Sequence, residues 1–139
     1  SKFNAAGQPS DWMSRGGFLA FNLVMLIGMG VLFLALPPLI SKVPNEWINL
    51  PRKEYWLAPE RRAATLDQMA RRLEWMGAGT LAFLLGITQL TIDANLREPV
   101  QLGAGVGALT TVYLVLLVIW AIFFLRRAYQ KPPQTDHAL

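Results

Sequence analysis

The side chains best suited to chemistry are scarce in this 139-residue chain and sit in the wrong places for catalysis. There is no cysteine, so thiol nucleophiles, thiolate metal sites and disulfides are excluded. The only histidine, His137, lies in a polar tail, which rules out paired haem ligation within the chain. No Ser/His/Asp set, H-E-x-x-H motif or glycine-rich phosphate loop after a strand occurs. Gly103 to Gly107 alternates glycine with small apolar residues, which is not the dinucleotide fingerprint. Within the apolar stretches polar groups are few, among them Asn22, Thr80, Thr88, Gln89, Thr110 and Thr111, all uncharged. Ion pathways and proton relays place ionisable groups at such depths, and none stands there. The expectation is a protein that is not an enzyme and carries no cofactor or metal.

Most of the hydrophobic residues, which make up 53% of the chain, fall into three runs without charge, 16–41, 75–92 and 99–125. A helix needs about 20 mostly apolar residues to cross the hydrocarbon core. Soluble helices keep a wet face, and these runs have none. The reading is an all-α integral membrane protein with three transmembrane helices. The first run is too long for a signal peptide, and no small-residue cleavage site follows it. Pro37-Pro38 suits the last turns of a spanning helix or a kink there.

The net charge of +4 is explained by orientation better than by nucleic acid, because the basic residues lie beside the apolar runs. Segment 42–74 carries Lys42, Arg52, Lys53, Arg61, Arg62, Arg71 and Arg72, and segment 126–139 carries Arg126, Arg127 and Lys131. Lys2, Arg15 and Arg97 lie on the other side of a three-span arrangement. Lys and Arg are retained on the cytoplasmic side. The N-terminal segment 1–15 and the loop 93–98 are therefore placed outside, and the loop 42–74 and the tail 126–139 inside. Trp47, Tyr55, Trp56, Trp75 and Tyr129 cluster on the inner side, where aromatic rings settle at headgroup depth.

In segment 1–15, Gly7-Gln8-Pro9-Ser10 is a turn signal, and Ser10 or Asp11 suits the cap of a short helix entering the first span. In the inner loop, Pro59 and Glu60 open an amphipathic helix over 59–75. Its apolar stripe is Leu66, Met69, Ala70, Leu73 and Met76, and Arg61, Thr65, Gln68 and Arg72 form the opposite one. No proline interrupts it before the second span, so the helix should run on into the membrane. The basic stripe has two readings: it rests against anionic headgroups, or it docks a partner protein. Small residues form ridges at Ala78, Ala82 and Gly86 on the second span and at Gly103 and Gly107 on the third. Such ridges let helices approach closely in lipid, either pairing these two spans or meeting another subunit.

Two segments also resemble a known family. Asn4, Gly7, Pro9, Trp12, Ser14 and Arg15 match the signature of a bacterial membrane domain of unknown function that also forms the N-terminal part of SdpI-type immunity proteins. Lys2 stands where that family often has histidine, and Ser10-Asp11 shifts its acid by one position. Residues 48–62, with Tyr55, Trp56, Arg61 and Arg62, resemble the inner loop of stand-alone members. The resemblance implies a bacterial cytoplasmic (inner) membrane, and a further membrane helix preceding the signature. The candidate interaction residues are Asn4, Gly7, Pro9 and Trp12 outside and Tyr55, Trp56, Arg61 and Arg62 inside. The expected partners are membrane lipids and other membrane subunits, with no nucleic acid and no soluble substrate. The expected function is that of a non-catalytic accessory or structural subunit of a larger membrane complex. The alternative is an SdpI-like immunity or signalling protein, and a transporter or lipid-handling role fits less well.

Overall fold

The computed structural model describes residues 2–129, with the side chains of 127–129 left aside. The expectations attached to Lys131 and His137 lie outside the described residues, as do those attached to the Arg127 and Tyr129 side chains. The element order is β1 (Lys2–Phe3), β2 (Pro9–Asp11), α1 (Arg15–Lys42), α2 (Lys53–Trp56), α3 (Pro59–Asn95) and α4 (Ala104–Tyr129), with one 3-10 turn at Asn45–Trp47. Among the described residues three helices, α1, α3 and α4, are long and apolar enough to cross a membrane.

The chain is not purely helical. The segment before α1 folds as an antiparallel hairpin, β1 against β2, in place of the short capped helix expected there. The cap of α1 is Ser14, whose hydroxyl accepts from the Gly17 N–H at 3.1 Å. Asp11 is drawn away from capping because Lys2 and the Trp12 N–H hold its carboxylate.

α1 passes through Pro37 and Pro38 and ends at Lys42, a cation in the last turn where the helix dipole is negative. α3 begins with proline in its first turn and Glu60 beside it, as the sequence requires, and runs unbroken from the amphipathic segment into the apolar one. It continues past the predicted boundary at 92 and takes in Asp93. α4 starts at Ala104 rather than at 99. Pro99 cannot donate a backbone hydrogen bond, and Gly103 weakens helix initiation, so 99–103 stays irregular.

α3 is the middle member of the bundle. On one flank Phe33 of α1 packs so closely that a Cβ on Gly77 would lie 2.5 Å from its ring. On the same flank Thr88 donates to the Asn22 side chain at 2.7 Å. On the other flank the Tyr113 ring of α4 stacks on Phe83 at 4.2 Å, and its hydroxyl lies 2.9 Å from that of Thr80. Of the polar groups inside the apolar runs, Asn22, Thr80 and Thr88 thus bond between helices, Thr91 and Thr110 donate to carbonyls one turn back, and Gln89 donates to Asp93. A small buried cluster of Ile48, Leu57 and Leu66, flanked by Ile40, Val43, Leu50 and Met69, closes the end of the bundle where α1, α2 and α3 meet.

Candidate functional surfaces

At the hairpin end, Asn4 builds the turn. Its side-chain oxygen accepts from the backbone N–H groups of Ala6 and Gln8, each at 3.0 Å. Its backbone exchanges bonds with Gln8 and Gly7 at 2.9 Å. Gly7 has φ +75°, a region where a side chain is strained, and its carbonyl accepts from the Leu102 N–H at 3.0 Å. A Cβ there would sit 3.2 Å from the Leu102 carbonyl. Pro9 begins β2, half-buried. Asn4, Gly7 and Pro9 therefore shape the hairpin and moor it to the α3–α4 connection. Trp12 is different: it stands 67% exposed just beyond the hairpin.

Lys2 and Asp11 form an exposed ion pair at 3.0 Å across the two strands. The hydrogen bond from Lys2, together with that from the Trp12 N–H, holds the Asp11 carboxyl below the usual carboxylate range.

At the loop end, Arg62 acts as a clamp. Its Nε donates to Asn45 Oδ1 at 2.9 Å, while its terminal nitrogens donate to the carbonyls of Ser41 at 3.2 Å and Val43 at 2.9 Å. Those carbonyls belong to the end of α1 and the residue after it, so a cation on α3 caps α1. Asn45 in turn donates to the Leu57 carbonyl at 3.3 Å, and Thr65 donates to that of Trp56 at 2.8 Å. The Arg61 guanidinium lies 4.3 Å from the centroid of the Tyr55 ring. Tyr55 and Trp56 meet edge to face at 5.0 Å, both half-buried. Of the four loop residues singled out from sequence, Tyr55 meets both Trp56 and Arg61, while Arg62 is fastened to the end of α1 instead, and Arg61 is the exposed one.

The small-residue ridges are only partly brought together. Gly86 faces α4, where a Cβ would lie 2.8 Å from the Leu109 side chain. Ala78 and Ala82 are exposed, and so are Gly103 and Gly107, with nothing within 4 Å of a Cβ at Gly107. Pairing of the two ridges with each other is corrected: α4 meets α3 through Leu109 into Gly86 and through Leu90 over Gly105. The stack of Tyr113 on Phe83 fixes that rotation, leaving the ridge at Gly103 and Gly107 outward.

No family model, curated protein or solved structure matches the chain.

What remains is a surface. Trp75, Ala78, Ala82, Leu85 and Gln89 recur along α3 at helical spacing and are all exposed, between the flanks taken by α1 and α4. Gln89 donates to Asp93 at 3.0 Å on this face. Sequence reasoning named Ala78 and Ala82 but missed the clamp partner Asn45 and the anchoring Leu102. Asn45 bonds residues 12 and 17 positions away, so no local pattern marks it. Leu102 contributes only its backbone N–H, which no residue type announces.

Proposed function

We propose that this chain is a non-catalytic, multi-pass protein of a bacterial cytoplasmic membrane that serves as an accessory or structural subunit of a larger membrane complex. The observation that carries this reading is the open face of α3. A central helix flanked on two sides still presents Trp75, Ala78, Ala82, Leu85 and Gln89 outward. Small residues allow close backbone approach in lipid, and an amide such as Gln89 hydrogen-bonds across helices there. The basic bias of the loop end favours placing it in the cytoplasm and the hairpin outside.

The chain has no cysteine, so single cysteines can be introduced cleanly. In intact membranes, Ala82→Cys should cross-link to one discrete partner chain of different mass. Val115→Cys, 52% exposed on α4, should not. Equal cross-linking at both positions, or no adduct at Ala82, rejects the subunit reading.

A second reading, an SdpI-like immunity or signalling protein, is favoured by Trp12. A large exposed indole beside a moored hairpin suits contact with an external peptide or toxin. Trp12→Ala should then abolish protection while leaving the helices intact; an unchanged response removes this reading.

A further inference from the structure

We infer that the open face of α3 receives a transmembrane helix of a partner subunit that carries a lysine or arginine at the hairpin-end membrane boundary, where its cation meets Asp93 and Gln89. The inference rests on the subunit reading proposed above and gives that partner its chemistry.

Depth and the helix dipole both call for a cation here. The uncharged stretch of α3, residues 75–92, rises about 27 Å, against a hydrocarbon core of about 30 Å. Asp93 follows it directly, half-buried and still helical, so its carboxylate stands at the edge of the apolar layer. A carboxylate at that depth is costly without a counter-ion. Asp93 also lies in the last turn of α3, at the negative end of the dipole, and no basic residue stands in that turn.

The described residues supply acceptors at this spot and no cation. Gln89 donates to Asp93 Oδ1 at 3.0 Å, which leaves Asp93 Oδ2 and the Gln89 side-chain carbonyl as acceptors. Among the described residues no ion pair reaches Asp93, whereas Asp11, the acid of the hairpin, is matched by Lys2 at 3.0 Å. Arg97 comes one turn later but past the cap Leu96, and its guanidinium packs beside Gly103, 3.7 Å from where a Cβ would stand.

The position of Asp93 ties it to the open face. It comes four residues after Gln89 and so continues the exposed stripe through Ala78, Ala82 and Leu85. Leu96, 77% exposed, prolongs that stripe past it. A helix laid closely along Ala78 and Ala82 passes over Gln89 and Asp93 at the boundary. A lysine or arginine on it reaches that depth by extending its stem, and its N–H groups serve both oxygens. Charge argues against a second copy of the chain. Two copies share one orientation in the membrane, so α3 laid on α3 would set one Asp93 against the other.

The test uses the full chain in its own membranes, with the Ala82→Cys cross-link as readout and the captured chain identified by mass spectrometry. Asp93→Asn keeps the side chain's size and its bond from Gln89, and should lower the adduct about fivefold. Glu98→Gln, in the loop that follows, should change it by less than about twofold. Asp93→Lys should abolish the adduct, and exchanging the partner's boundary lysine or arginine for glutamate should restore it. Such a rescue separates lost pairing from lost folding, since a misfolded chain is not repaired by changing its partner. An adduct insensitive to Asp93→Asn, a captured chain with no basic residue at that boundary, or a failed rescue overturns the inference and leaves the subunit reading in place. An adduct of two copies of this chain, or none at Ala82→Cys alone, defeats the subunit reading and this inference with it.

Discussion

The two ends of the bundle are closed by different physics. At the loop end, apolar side chains leave water together: Leu57 and Leu66 are each 4% exposed, and Arg62 locks three segments around them. At the hairpin end the turn is built of side-chain and backbone hydrogen bonds among exposed residues, and a single backbone bond to Leu102 moors it to the helices. Burial is non-directional and additive over area, whereas each exposed hydrogen bond is nearly balanced by one to water. The loop end should therefore behave as part of the helical core. The hairpin should open locally at much lower cost, taking the exposed Trp12 beside it along.

The sharpest way to break this contrast is to hollow out the loop end. Leu66→Ala should destabilise the bundle by about 2–5 kcal/mol, read as loss of helical signal on heating in detergent. Next comes the clamp. Arg62→Ala removes charged hydrogen bonds to the end of α1 and should cost about 1.5–3 kcal/mol in the same assay. Arg62→Lys keeps the charge but not the fork, so it should recover only part of the loss. If either alanine variant melted like the parent chain, the loop end would not be fastened as described.

How far each end could be read in advance follows from the same difference. The helices were legible because the bilayer imposes a length on uncharged runs, and Pro59-Glu60 marked where α3 begins. The continuity of α3 through Trp75 was legible for want of any breaker. Arg62 was visible as a basic loop residue, but its role as a cap on another helix was not, because Ser41 and Val43 take part through carbonyls that every residue has. The hairpin was missed for a related reason. Lys2–Phe3 and Pro9–Asp11 are too short to show a two-residue period, and the strands exist because Asn4 folds the turn between them. The outward rotation of Gly103 and Gly107 depends on the stack of Tyr113 against Phe83, a tertiary contact with no local signature.

At the hairpin, Gly7→Ala should cost about 1–2 kcal/mol, since the left-handed backbone there penalises a Cβ. The space is tight as well, with the Leu102 carbonyl 3.2 Å from where that atom would stand. The effect should be confined to the hairpin. Faster amide exchange at Leu102 and Gln8 is expected, with unchanged melting of the helices. A lower melting temperature of the whole bundle would mean that the two ends are coupled after all.

The smallest expected effect is also the most selective, because it uses pH to address one end alone. Asp11 is a fully exposed carboxylate whose folded-state pKa lies below its ordinary 3.8, chiefly through the Lys2 hydrogen bond and then through that of the Trp12 N–H. A depressed carboxylate pKa stabilises the folded form above the unfolded value, and that contribution is lost as pH falls through the folded value. The hairpin should therefore keep its full protection at neutral pH and begin to loosen below about pH 4. The Arg62 clamp runs to two backbone carbonyls and the Asn45 side chain and includes no carboxylate, so acid should leave those bonds in place. Exchange at the Trp12 amide, followed from pH 6 to pH 2, reads the hairpin directly. Lys2→Gln removes the largest cause of the depression and should move the Asp11 titration up toward 3.8. A titration that stays put in Lys2→Gln would show that the cross-strand pair does not hold the carboxylate, leaving the Trp12 N–H as its main support.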